Sequence, residues 1–188
     1  MSFKVIGIIP ARYASSRFPG KPLADIAGKP MIQRVWERAN KAKHTEKIII
    51  ATDDKRIYDS VKKFTDNVMM TPLELQSGSD RVAFTAQNQE ADIIINIQGD
   101  EPFINPAEVD QVAEILMNDT QAVMGTLIKK IDKVQELESS NTAKVVIDRE
   151  GYALYFSRSP IPCNRDFSDK QEWLKHSTYY KHVGIYSY

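Results

Sequence analysis

A single cysteine, Cys163, occurs among 188 residues, which excludes an intrachain disulfide and fits a reducing compartment, so a cytoplasmic protein is expected. Neither sign of charge is in excess: 25 Lys and Arg meet 25 Asp and Glu, so the basic surplus of a general nucleic-acid binder is missing. No apolar run approaches the length of a membrane span, and the short one near the start is broken by Pro10. Neither a signal peptide nor a membrane helix is expected. Glycine is sparse, eight in all, and neither G-x-x-x-x-G-K-[ST] nor G-x-G-x-x-G occurs, since Lys21 is followed by Pro22. Kinase-like P-loop and dinucleotide-binding readings therefore lose their main support. His44, His176 and His182 are too scattered for a zinc site. No Ser-His-Asp or Cys-His arrangement points to a covalent nucleophile, and Cys163 is read as structural.

One stretch lacks acid altogether. No Asp or Glu precedes Asp25, yet Arg12, Arg17 and Lys21 fall within ten residues, with Ser15, Ser16 and Gly20 between them. Uncompensated cations, hydroxyls and a glycine after a buried strand are what a polyphosphate needs: paired charge, further donors and a close backbone.

The rest of the chain alternates. Apolar runs at Lys4–Ile9, Lys47–Ala51, Asn67–Met70, Ile93–Ile97 and Val123–Ile128 predict strands. Between them, helical spacing marks Met31, Ile32, Val35, Trp36 and Ala39 behind Pro30, then Ile57, Tyr58, Val61 and Phe64, then a helix opened by Gln76-Ser-Gly-Ser-Asp-Arg81 with Ser79 as a cap, and one begun by Asn105 and Pro106. Strands apolar on both faces that alternate with amphipathic helices predict an α/β fold with a mostly parallel sheet flanked by helices. Ligands in such sheets sit at the carboxyl ends of the strands, where the basic loop, Asp53-Asp54 and Gln98–Glu101 all fall. The composition, 42% apolar and 27% charged, suits one globular domain over residues 1–188. Within it, residues 1–130 are expected to form the core that carries the phosphate-binding loop and 131–188 a β-rich part. There Lys144–Asp148 and Tyr152–Ser157 read as a hairpin, and Tyr179–Tyr188 as a strand that ends abruptly, as if cut.

Asp100 beside a phosphate cradle suggests a ligand for Mg²⁺, typically held by one or two carboxylates plus phosphate oxygens. The alternative is that Asp100 caps the following turn while Glu101 points to solvent.

The segments IIPARYASSRFPGKPLADIAGKPMI, IIIATDD, QSGSDR, NIQGDEP, AKVVIDREGYALYFSRSPIP and KHVGIYSY together resemble the 3-deoxy-manno-octulosonate (Kdo) cytidylyltransferases over essentially the whole chain. The resemblance implies a Rossmann-like nucleotidyltransferase fold, a homodimer built through the β-rich extension, and the reaction of CTP with Kdo to CMP-Kdo and diphosphate for lipopolysaccharide synthesis. It also implies roles. Arg12, Ser15, Ser16, Arg17 and Lys21 match the loop that holds the CTP phosphates, with Arg12, Arg17, Lys21 and Asp100 as the catalytic set. Gln76, Ser77, Gly78, Arg81 and Gln98 match further CTP contacts, Asp100 the Mg²⁺ ligand, and Arg158, His182 and Tyr186 the sugar-acid site. The family continues beyond HVGIYSY with a second metal-binding Asp and more of the sugar pocket, so the chain is expected to be truncated. A relative acting on 8-amino-Kdo or another acidic sugar, and a CTP-binding fragment without turnover, remain alternatives.

Overall fold

The computed structural model describes residues 3–14 and 18–188. Its described residues divide into two compact units, one running to Gly125 and taking in Ile185–Tyr188, the other spanning Thr126–Gly184.

The first unit is built around β1 (Val5–Ala11), whose Val5, Ile6, Ile8 and Ile9 have no exposed surface. Such a run, buried on both faces, is what a central parallel strand requires. After β1 come a 3-10 turn (Lys21–Leu23), a small ladder of β2 (Asp25–Ile26) with β3 (Lys29–Pro30), and α1 (Met31–Ala39). Then follow β4 (Thr45–Thr52), α2 (Lys55–Val61), β5 (Val68–Met70), α3 (Gly78–Ala86), β6 (Ile93–Asn96) and α4 (Pro106–Asn118). Strands β5, β4, β1 and β6 lie side by side in that order and are parallel. Tyr186 and Ser187 add an antiparallel edge against Asn96 and Ile95. Ile6, Ile8, Ile49 and Ala51 meet Val82 of α3 in one core cluster. Each buried Ile or Val side chain contributes roughly 1.5–3 kcal/mol.

The expected α/β fold with a parallel sheet and a β-rich extension is the one found. Asn105 caps α4 by accepting from the Ala107 amide, and Pro106 occupies its first turn, as the sequence predicts. Two local expectations differ. Ser77, not Ser79, caps α3: its hydroxyl accepts from the Asp80 amide at 3.0 Å, and the Asp80 carboxylate accepts from the Ser77 amide at 2.9 Å. This reciprocal box satisfies two orphan donors, which Ser79 inside the first turn could not do. The strand expected from Val123 begins at Gly125, because Val123 is 88% exposed.

The chain enters the second unit through β7 (Gly125–Lys130), continues with α5 (Val134–Glu138), β8 (Lys144–Ile147), β9 (Ala153–Ser157) and α6 (Lys170–His176), and leaves it along β10 (Tyr180–Ser187), whose residues from Ile185 on belong to the first unit. Strands β8 and β9 form the predicted hairpin, with Val145 opposite Phe156, and β10 pairs with β8 and β7. Ile131, Leu137, Trp173 and Tyr179 make the core of this unit. Helix α6 lies in a stretch whose polar composition gave no helical signal. Its Trp173 is buried and donates from Nε1 to the Phe167 carbonyl at 2.7 Å.

Candidate functional site

A cleft of about 380 Å³ opens where the first unit's parallel strands end. Pro10 and Ala11 at the end of β1 form its floor, and Arg12, Ala14, Lys21 and Pro22 follow from the loop behind them. Gly78 enters from the start of α3, and Gln98, Gly99 and Asp100 from the turn after β6. Arg12, Lys21, Gly78, Gln98 and Asp100 of the sequence expectation thus come together on one wall. Ser15, Ser16 and Arg17 lie outside the described residues.

Lys21 is aimed by the turn that carries it. Gly20 has φ 73°, a left-handed conformation that glycine adopts at little cost, and it opens the 3-10 turn at Lys21. Its amide donates to the Tyr13 carbonyl at 2.8 Å, closing the loop on itself. The Tyr13 ring lies so near that a Cβ on residue 20 would come within 3.0 Å of it. The Arg56 guanidinium stacks over the same ring at 3.3 Å and is itself gripped by Asp54 through two bonds of 2.9 and 2.6 Å. Asp54 therefore caps α2 and steadies the loop from outside the cleft. From the finished turn, Lys21 Nζ donates to Asp100 Oδ2 at 2.6 Å.

The segment before α3 is tied to the cleft by two arginines in different ways. Arg12 Nη1 donates to the Gln76 carbonyl at 2.5 Å. Arg81 is wholly buried, bonded to the Thr71 hydroxyl and, at 2.6 Å, to Asp53. It does not line the cleft; its two terminal nitrogens tie residues 71–72 to the end of β4. Ser77 likewise uses its hydroxyl in the helix cap. Local pattern marks Asp53 only as a strand-end acid and carries no signal that it partners Arg81.

The turn after β6 approaches β1 closely. A Cβ on Gly99 would stand 2.9 Å from the Pro10 carbonyl oxygen, so only glycine lets Asp100 sit there unshifted. Gln98 is half-buried and Asp100 exposed. Burial, then the charges of Asp100 and Glu108, raise the Glu101 carboxyl pKa above the usual range. Among the described residues no three His, Cys, Asp or Glu side chains gather as a metal cluster. The donor set on the wall, one carboxylate beside cations that suit phosphate, fits Mg²⁺ shared with a bound polyphosphate rather than an all-protein cage.

Arg158 and His182 lie in the second unit, Tyr186 in the first. Arg158 Nη1 donates to the Asn141 carbonyl at 2.5 Å. His182 Nε2 is 2.9 Å from Thr126 Oγ1, and its ring meets Phe156 edge-on at 5.2 Å. Burial, then the nearby Arg158 charge, lower the His182 pKa and keep the imidazole neutral. Tyr186 packs beside Tyr188, ring centres 6.4 Å apart, and burial raises its phenol pKa.

A family model of cytidylyltransferases matches residues 6–188. A 3-deoxy-manno-octulosonate cytidylyltransferase of Geobacter metallireducens is 49% identical over 192 residues, a match covering 98% of this chain and 74% of the relative. That of Idiomarina loihiensis is 50% identical, over 100% of this chain and 75% of the relative. A CMP:2-keto-3-deoxy-manno-octonic acid synthetase solved in complex with CTP aligns with a TM-score of 0.90 at 44% identity, over 98% of this chain and 73% of its own. The chain therefore belongs to the cytidylyltransferase family, among the 3-deoxy-manno-octulosonate cytidylyltransferases.

Proposed function

We propose that this chain is a nucleotidyltransferase that activates Kdo, converting CTP and Kdo to CMP-Kdo and diphosphate for lipopolysaccharide synthesis. The observation that carries the reading is the cleft, where Arg12, Lys21 and Asp100 converge at the strand ends. A hydroxyl oxygen of the sugar acid attacks the α-phosphorus of CTP in line; the bond from that phosphorus to the bridging oxygen breaks, and diphosphate leaves with the electron pair. The hydroxyl proton passes to solvent. No enzyme nucleophile is needed, because positioning and charge stabilisation carry such transfers.

Arg12 and Lys21, with Ser15, Ser16 and Arg17 of the same loop, hold the phosphates, and Lys21 stabilises the leaving charge. Gln76, Ser77, Gly78 and Gln98 flank the nucleoside, the backbone of Gly78 supplying close approach. Arg81 supports that wall through Asp53 and Thr71. Asp100 would hold Mg²⁺ jointly with phosphate oxygens, and the bound cation would neutralise phosphate charge. Arg158 engages the Kdo carboxylate, with His182 and Tyr186 completing the sugar-acid contacts.

The partner is a second copy of this chain. Strand β9 leaves Leu154 64%, Tyr155 65% and Phe156 45% exposed, an apolar surface that association would cover. No helix among the described residues is long and apolar enough to cross a membrane, and a cytoplasmic site, where CTP is made, suits the reaction.

Pyrophosphate release from CTP is the test. Release that requires both Kdo and Mg²⁺ is expected; release that ignores Kdo, or proceeds equally with an unrelated hydroxy acid, would overturn the substrate assignment.

A further inference from the structure

Lys144 is the most deeply buried cation of the second unit. It has no exposed surface, yet no carboxylate is bonded to it. All three ammonium protons go to backbone carbonyls: Ser139 at 2.8 Å, Thr142 at 2.7 Å and Arg158 at 2.6 Å. Burying an ammonium is costly unless every donor is met. Here the donors are fully met, by main chain alone. Burial and the neighbouring Arg158 charge both push the ammonium pKa down.

What those carbonyls have in common is Arg158. The segment Ser139–Thr142 presents four successive carbonyls to two cations. The outer two accept from Lys144, and the inner two, Ser140 and Asn141, accept from Arg158 Nη1 at 3.4 and 2.5 Å. Lys144 also holds the main-chain carbonyl of Arg158 itself. Its backbone is fixed as well, opposite Ser157 in β9 and Lys181 in β10. One side chain therefore fastens both the platform on which the guanidinium rests and the residue that bears it.

We propose that Lys144 is a positioning residue for the sugar-acid substrate, holding Arg158 with its Nη1 docked on the 139–142 carbonyls. The consequence is geometric. With Nη1 committed to Ser140 and Asn141, the Nε and Nη2 edge of Arg158 makes no hydrogen bond to the described residues. That edge is one of the two forks on which a guanidinium takes a carboxylate bidentately. Lys144 fixes which edge faces the substrate, although its own ammonium is sealed from it. The inference rests on the proposed role of Arg158 toward the Kdo carboxylate.

The test compares Lys144→Met, Lys144→Gln, Arg158→Ala and the double variant Lys144→Met with Arg158→Ala. Kdo affinity is read both as KM in pyrophosphate release and as a directly measured Kd, alongside KM for CTP and thermal melting. Lys144→Met is expected to weaken Kdo about tenfold, the scale of one misplaced charge-assisted hydrogen bond. Lys144→Gln, which keeps two donors, should weaken it less, while KM for CTP stays within about twofold. In the Arg158→Ala background the Lys144 substitution should add nothing, because its effect passes through Arg158. Equal weakening with and without Arg158, or a parallel change in the CTP constant, would make Lys144 merely structural and overturn the proposal. Unchanged Kdo affinity in Lys144→Gln would overturn it too, and this variant decides the matter if Lys144→Met fails to fold. Unchanged Kdo affinity in Arg158→Ala alone would instead overturn the sugar-site reading on which the inference stands.

Discussion

Lys21 and Asp100 are 79 residues apart in the chain, yet their charged atoms meet at 2.6 Å in the lining of the cleft. Their side chains are 36% and 52% exposed, so the pair adds only about 0–1 kcal/mol to stability. Its meaning lies in the site. The contact holds one cation and one carboxylate ready, each available to a ligand of opposite charge at little cost.

Removing the cation should therefore hurt chemistry and spare the fold. Lys21→Ala is expected to lower kcat about 10²–10³-fold, the 2.7–4 kcal/mol typical of losing one donor aimed at developing charge. Its melting temperature should hardly move. Pyrophosphate release at saturating CTP and Kdo, with a thermal melt beside it, checks both halves. A variant with native kcat would take this loop out of the mechanism.

The opposite pattern is expected at Asp53. Its partner Arg81 is completely buried, and Asp53 itself is 10% exposed. Asp53→Ala leaves the guanidinium charged without a counterion, a change that costs about 3–5 kcal/mol. Urea denaturation should show the midpoint fall accordingly. A loss below about 1 kcal/mol would mean that Thr71 and the Pro72 carbonyl suffice for Arg81.

Gly99→Ala probes the closeness of two strands' ends. The added methyl would meet the Pro10 carbonyl oxygen at 2.9 Å and the Ile9 side chain at 3.4 Å. Backbone cannot yield as a flexible side chain does, so a cost of about 1–3 kcal/mol is expected, with Asp100 displaced. Weaker CTP binding measured by calorimetry should accompany the lower stability. Native affinity would show that the turn after β6 adjusts freely.

The parallel core was legible because its signals are local and strong: Ile48, Ile49 and Ile50 in β4, or Asn105 and Pro106 opening α4, announce themselves within a few residues. Helix α6 was not, because one buried face resting on Trp173 among Asp, Lys and Glu leaves almost no apolar period. Local pattern cannot place the cap of α3, since Ser77 and Ser79 both precede the apolar positions and only the reciprocal bond with Asp80 separates them. At the site, the residue types of the cleft could be read, but their commitments could not. That Asp53 holds Arg81 and that Arg12 touches the Gln76 carbonyl depends on long-range or irregular backbone geometry, which carries no periodicity.

His182 supplies a pH dependence whose sign follows from its surroundings. Burial, then the facing Arg158, hold its pKa below the usual value, while an unfolded chain returns it to about 6.5. Below that pH the unfolded state takes up the proton and the folded state resists it. Stability must therefore fall as pH drops through about 6.5 toward the folded pKa, and level off beneath it. His182→Gln cannot titrate, so it should lose this part of the slope while keeping a group that can bond Thr126. Urea midpoints of both proteins between pH 7.5 and 5.5 give the comparison, since the carboxylates contribute alike to each and cancel in the difference. A constant difference across that range would show that the imidazole is as free to protonate in the fold as outside it. The expected narrowing at low pH would instead show that beside Arg158 the fold keeps this ring neutral, leaving the guanidinium as the cation of the pair.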